Sequence, residues 1–329
     1  MKKAFYMVSL ATLLATGLSS CGTSSEKKAA GSPAGEGEKL EGTISMSGAF
    51  ALYPLANVWA EEFRKEYPDV RFNISAGGAG KGMADVLGGA IDLGMFSREI
   101  TPAEKDKGVW WVSVTKDAVI PTISTKNPVL AQLKKEGLTR QELSDYFLKD
   151  GKRYWKSSKQ PVNVYTRSDA SGAAATWADY LGGAGQEDLK GIAVFGDPGL
   201  ADAVRKDPNA IGFNNVIYVY DLKTGRKYEG VDVAPIDVNG NGRLDAEENF
   251  YSDIKQITAA IADGRYPSPP ARELYLIAKG APQIPAVKTF LKWVLTKGQQ
   301  FVEPNGYIVL SPGTLETQKN KLAAHDRAQ

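Results

Sequence analysis

The sequence predicts an α/β protein built on parallel sheets, and three observations carry that expectation. The chain has 329 residues, more than a single core of roughly 250–300 residues holds, so about two domains are expected. Its composition is ordinary for a globular chain, 43% hydrophobic and 24% charged. Short β-type runs alternate with stretches of helical spacing, joined by loops of small residues.

The elements follow in order. Thr43-Ile44-Ser45-Met46 is a short strand leading into the loop Ser47 to Ala51. A helix opens at Pro54 and places Leu55, Val58, Trp59 and Phe63 on one face. Val70, Phe72 and Ile74 alternate with polar neighbours as a strand, and the Gly-rich run 77–82 opens a helix carrying Met83, Val86 and Leu87. Ile91 to Met95 is a further strand, ending in Ser97-Arg98. Val162 to Tyr165 leads through residues 166–172 into a helix with Trp177 and Leu181. Val231 to Pro235 reads as strand and Phe250 to Ala262 as helix. Trp110, Trp111, Trp155, Trp177 and Trp293 sit in apolar patterns and are expected in the core. The tail 319–329 is expected to fray.

The N-terminus is of a different kind. Lys2 and Lys3 precede a mostly apolar run from Ala4 to Leu18, the length of a signal-peptide core and short for a membrane span. Leu18-Ser19-Ser20-Cys21 resembles the lipobox of bacterial lipoproteins, which makes Cys21, the sole cysteine, the lipidated terminus. Residues 1–20 then form a signal peptide and 21–39 a Gly/Ser/Ala/Pro-rich tether. Cleavage would take the formal charge from +2 to zero, so nothing argues for nucleic-acid binding. The one histidine, His325, lies in the polar tail, which excludes Ser-His-Asp and Cys-His catalysis and a His-rich zinc site.

Three loops share one property: each is rich in Gly, Ala or Ser and opens a helix. Helix N-termini present free N–H groups and the positive end of the dipole, and small residues let an anion approach the backbone. The run 77–82 keeps neither P-loop nor dinucleotide spacing. The third loop adds Arg167, whose rigid fork of donors suits a tetrahedral oxyanion, with Asp169 to hold that fork.

These stretches resemble the substrate-binding proteins of the bacterial phosphate ABC importer. The matching segments are Ser47 to Pro54, Gly77 to Gly82, Asp92 to Arg98 and Arg167 to Gly172, with further matches at Leu138–Trp155, Asn209–Phe213 and Tyr266–Lys279. The resemblance implies a type II periplasmic-binding fold, two α/β lobes with mixed sheets and a two-stranded hinge. Residues 40–117 and 276–325 would form one lobe and 120–272 the other, with crossings near Lys116–Thr122 and Glu273–Ala278. It implies a monomer that captures inorganic phosphate outside the cytoplasmic membrane and delivers it to permease subunits, needing no cofactor and breaking no bond. The implied site is Phe50, Ala51, Ala79, Ser97, Arg98, Arg167, Asp169, Ser171, Gly172 and Ala173, together with Ser47, whose hydroxyl could instead cap the helix. Phe50, Ala79 and Ala173 stand where the family has hydroxyl donors. Ser97 stands where well-known members have an Asp that accepts a hydrogen bond from protonated phosphate, which weakens discrimination against sulfate. The alternatives are another tetrahedral oxyanion (sulfate, molybdate or tungstate), a sensor or scavenger without a permease, and a calcium-dependent phosphohydrolase. The last lacks a second carboxylate cluster beside the anion loops.

A separate motif stands on its own residues. Asp237, Asn239, Asn241, Arg243, Asp245 and Glu248 fall at ligand positions of a twelve-residue EF-hand loop, 237–248, with Gly242 at the sharp turn. Arg243 would give only its carbonyl. With strand before it and helix after it, the loop is half an EF-hand, and a bound Ca2+ would be structural.

Overall fold

The computed structural model describes residues 40–156 and 158–326. The signal peptide, Cys21 and the tether lie outside those residues. In chain order the elements are β1 (Gly42–Gly48), α1 (Tyr53–Glu66), β2 (Val70–Ala76), α2 (Ala79–Leu87), β3 (Leu93–Phe96), α3 (Pro102–Asp106), β4 (Val109–Ser124), α4 (Leu130–Glu136) and β5 (Leu138–Thr139). There follow α5 (Arg140–Leu148), β6 (Asn163–Arg167), α6 (Gly172–Leu181), β7 (Ile192–Val194), α7 (Gly196–Lys206) and β8 (Ala210–Asn215). Then come β9 (Val231–Val233), β10 (Ile236–Asp237), α8 (Ile254–Asp263), β11 (Ala271–Lys279), α9 (Pro285–Val294) and α10 (Pro312–Asp326).

Among the described residues one mixed sheet runs β2-β1-β3-β11-β4-β8-β6-β7, with β9 also on β4 and a separate β5–β10 pair. The β1–β2, β1–β3 and β6–β7 pairs are parallel, as strand–helix–strand units require. β11 is antiparallel to both β3 and β4. This is the α/β architecture that the sequence predicts.

Two hydrophobic cores form along this sheet. The first gathers Trp59, Phe63, Val86, Met95, Leu276, Phe290 and Trp293; the second gathers Ile120, Phe147, Trp155, Trp177, Phe213, Ile257 and Tyr266. The groups of elements around them are called the first and second lobes. On β4 the cores change over between Val114 and Ala118, and on β11 between Ala271 and Leu274. At this crossing Arg272 lies directly opposite Asp117, and Lys116 pairs with Ile308 as a third strand-like contact.

Local chemistry sets the helix ends. α3 and α5 open on capping boxes, Thr101 with Glu104 and Thr139 with Glu142. α6 is capped by Ser171, whose hydroxyl accepts from Ala174 N–H, and Gly182 ends it in the left-handed conformation. α8 starts later than the sequence suggests. Phe250 and Tyr251 turn into the second core, and Asp253 caps a helix that begins only at Ile254. Two other expectations change. Trp111 is half-buried, with the Lys321 ammonium 3.5 Å above its ring, and the expected frayed tail continues as α10 to Asp326, anchored by buried Leu322.

Asp232 on β9 is nearly buried between Lys134 (2.6 Å) and Lys227 (3.0 Å). Burial pushes its carboxyl up, but the two ammonium groups outweigh burial and hold it below the ordinary value. A depressed carboxylate stabilises the fold above its unfolded pKa of about 3.9 and loses that contribution as pH falls through its folded value. Asp232→Asn should therefore cost on the order of 1 kcal/mol at pH 7, read as a lower urea midpoint. The gap from wild type should begin to close as the pH falls below about 4 and go on closing as it falls through the lower folded value.

Candidate functional site

The loops singled out in the sequence converge where the lobes meet. A tightly closed cleft is lined by Ala49, Phe50, Ala51, Gly78, Ala79, Ser97, Arg167, Ser171, Gly172, Ala173, Asp197 and Asn215. Residues 49–51 follow β1, Gly78 and Ala79 open α2, Ser97 follows β3, and residues 171–173 open α6. The cleft thus sits at the C-terminal ends of parallel strands and the N-terminal ends of the helices behind them.

Arg167 ends β6 fully buried, yet its charge is answered. Its Nε and Nη2 donate to the two carboxylate oxygens of Asp169 at 2.8 and 2.7 Å, and Nη1 donates to Asp197 Oδ2 at 2.5 Å. Burial alone would lower its pKa, but Asp197 and Asp169 more than offset that and raise it, so the guanidinium stays charged. These bonds use three of its five N–H donors, which leaves two for the cleft. Asp169 Oδ1 also accepts from Gly196 N–H, and Gln186 bridges Asp169 O and Ser171 N–H.

Each wall is fixed from behind. The Phe50 carbonyl accepts from Tyr218 OH at 2.9 Å and the Ala51 carbonyl from Tyr307 OH at 2.8 Å. In a trans peptide the carbonyl and the next N–H point opposite ways, so tying back the Phe50 carbonyl turns Ala51 N–H the other way. Burial keeps both phenols far above the usual range, so they remain donors. The Phe50 ring lies 5.3 Å from the Arg167 guanidinium and packs edge-on against Phe195 of the second lobe. Gly80 N–H bonds to Ala170 O across the lobes at 2.9 Å. Gly78 must be glycine: its φ is +92°, and a Cβ would stand 2.6 Å from Asp169 Oδ2.

Of the residues proposed from sequence, Phe50, Ala51, Ala79, Ser97, Arg167, Ser171, Gly172 and Ala173 line the cleft, and Asp169 braces Arg167 from behind. Two are placed elsewhere. Ser47 donates to Asp85 at 2.5 Å, beside the Lys81–Asp85 pair, so its hydroxyl serves α2. Arg98 forks onto Glu104 at 3.0 and 2.7 Å and lies over the Phe96 ring, because a carboxylate three residues into α3's capping box is nearer than the cleft. Asp197, Asn215, Tyr218 and Tyr307 were not singled out. Only Asp197, in the Gly196-Asp197 start of α7, had a local signal of the kind used for the other loops.

The 237–248 loop folds on itself. Asp237 accepts from the N–H groups of Gly240, Asn241 and Gly242, and Glu248 from those of Val238, Asn239 and Asp245. Asp245 receives the Asn239 and Asn241 side-chain amides. Among the described residues no group of three His, Cys, Asp or Glu is gathered to hold a metal.

The chain matches the PBP superfamily domain over residues 28–297. It is 30% identical over 220 residues to phosphate-binding protein PstS of Bacillus subtilis, covering 64% of this chain and 70% of that relative. The chain belongs to the PstS family. The phosphate-binding protein PstS of Pseudomonas aeruginosa is 26% identical over 296 residues, 82% of this chain and 84% of its own. The fold is shared with an ABC-type phosphate transport receptor from Vibrio cholerae (TM-score 0.60, 18% identity, 81% of this chain and 100% of that one). A Clostridium perfringens substrate-binding protein with bound phosphate superposes with TM-score 0.66 at 22% identity, over 82% of this chain and 100% of that chain.

Gly172 sets how closely the lobes approach: a Cβ there would stand 2.6 Å from Ser97 O. Gly172→Ala should weaken anion binding at least about ten-fold by propping the cleft open. The melting temperature without ligand should stay within about 2 °C of wild type, since helix position N1 tolerates alanine.

Proposed function

We propose that this chain captures inorganic phosphate outside the cytoplasmic membrane and hands it to the permease of an ABC importer. It acts as a monomer and breaks no bond. Membership of the PstS family supports the ligand and the partner. The observation that carries the ligand class is the Arg167 fork, braced by two carboxylates beside the N-terminal turns of α2 and α6. That arrangement offers directed donors on all sides of a small oxyanion. Lipid attachment through Cys21, after removal of residues 1–20, belongs to the same proposal and is supported by the lipobox pattern. Among the described residues no helix is long and apolar enough to cross a membrane.

Asp197 favours phosphate over sulfate. Asp197 lines the cleft almost fully buried, its carboxylate oxygens accepting from Arg167 and from Asn215 N–H. Phosphate near neutral pH carries a proton that a carboxylate can accept as a hydrogen bond, whereas sulfate brings only acceptors and meets repulsion. Asp197 thereby supplies a charged, acceptor-only group where the Ser97 hydroxyl can either donate or accept.

Calorimetric titration of residues 40–329 with phosphate, arsenate, sulfate and molybdate tests the reading. Phosphate should bind, sulfate should not, and Arg167→Ala should abolish binding. Asp197→Asn should narrow the phosphate-to-sulfate preference at least about ten-fold. Tight sulfate binding without phosphate binding would overturn the assignment.

A structural calcium ion in the 237–248 loop is also proposed, supported by oxygen-bearing side chains at EF-hand positions. Coordination would exchange the loop's own N–H partners for the cation, so affinity should be weak, with Kd on the order of 10⁻⁴–10⁻³ M. About 10 mM calcium should raise the melting temperature by about 2–5 °C over EDTA. Glu248→Gln should remove that rise and leave phosphate affinity within about two-fold. A melting curve that EDTA and calcium leave unmoved would make the loop a turn.

A further inference from the structure

Asn215 ends β8 at the floor of the cleft, 1% exposed. Its backbone N–H donates to Asp197 Oδ1 at 3.2 Å. Its side-chain oxygen accepts from Arg272 Nη2. A guanidinium can only donate, so this contact fixes the amide orientation: the oxygen faces Arg272 and Nδ2 faces the other way. That Nδ2 is buried and has no hydrogen-bond partner. Buried amide donors are almost always satisfied, so an orphan one among the donors lining this cleft calls for an acceptor there.

We propose that Asn215 is an anion-binding residue whose Nδ2 donates to a phosphate oxygen, and that Arg272 is the positioning residue that aims it. The proposal rests on the phosphate-capture reading and adds to it a donor from the crossing between the lobes. Arg272 is itself held by Asp117, at 2.9 and 3.3 Å, and by Thr176 at 3.2 Å. Asp117 lies on β4 and Arg272 on β11, the two strands that pass from one lobe to the other. Thr176 lies on α6, the helix whose first turn faces the cleft. One guanidinium thus ties together both crossing strands, α6 and the orphan donor. The anion would complete this chain of bonds at its open end.

Asn215→Asp separates binding from structure. The variant keeps an oxygen for Arg272, and a carboxylate serves that contact at least as well, but it replaces the donor by a negative charge. Inorganic phosphate affinity, read by calorimetry on the folded variant, should fall more than about 100-fold. Asn215→Ala should lose about 10- to 100-fold, the range for one hydrogen bond to a charged acceptor. The Asn215 side-chain amide resonance of ¹⁵N-labelled wild type should shift on phosphate addition, a readout that requires no variant to fold. Phosphate binding by Asn215→Asp within three-fold of wild type would overturn the proposal and leave the capture reading intact. An amide resonance unmoved at saturating phosphate would do the same. No phosphate binding by the wild type would overturn both.

Discussion

The site depends on one buried cation held between two buried carboxylates. Leaving Arg167 unpaired in the interior would cost several kcal/mol, and the Asp169–Asp197 pair removes that cost. The price is a local charge balance of one positive against two negative side chains. Net Coulomb attraction from side chains therefore cannot be what draws the anion in. Directed N–H groups must supply it: the two remaining Arg167 donors, the first turns of α2 and α6, and the loop after β1. Donors of that kind work only at close range, which is why glycine and alanine line the cleft where a larger residue would hold the anion off.

The same constraint explains the support behind each wall. Backbone N–H groups can be aimed only by fixing their peptide planes. Tyr218 and Tyr307 do this for the loop after β1 by taking its carbonyls. Ser171 and Gln186 do it for the start of α6, and Asp169 reaches both Arg167 and Gly196 N–H. Arg272 and Asp117 carry the same logic to the crossing strands. A bond geometry at the cleft is in this way transmitted to the place where the lobes turn on one another.

Much of this was legible in the sequence because the signals were local. Strand–loop–helix units, the small-residue loops, Arg167 with Asp169, and Ser171-Gly172 are each contained within about ten residues, and their roles follow from periodicity and helix-end chemistry. What escaped is what folding brings from afar. Asn215 reaches Arg272 from 57 residues away and Tyr307 reaches Ala51 from 256, and nothing in their neighbours marks them. Ser47 and Arg98 were misplaced for the converse reason. Each sits beside a cleft loop in sequence, but Asp85 and Glu104 offer partners on the near side of the backbone. The late start of α8 has a similar origin: Phe250 and Tyr251 gain more from the second core than from an extra helical turn.

Because donors come from both lobes, neither lobe alone makes a complete site. The second lobe supplies Arg167, Asp197 and the α6 turn; the first supplies residues 49–51, the α2 turn and Ser97. An anion bound to the second lobe alone would keep part of its hydration and meet two carboxylates with a single guanidinium. Closure adds the first lobe's N–H groups, lays the Phe50 ring over Arg167, and removes water that would screen every one of these contacts. The favourable terms for binding and for closing are then largely the same bonds, so their free energies cannot be assigned separately. Release must follow the same route in reverse: any force that separates Ser97 from Gly172 and Gly80 from Ala170 withdraws the first lobe's donors together.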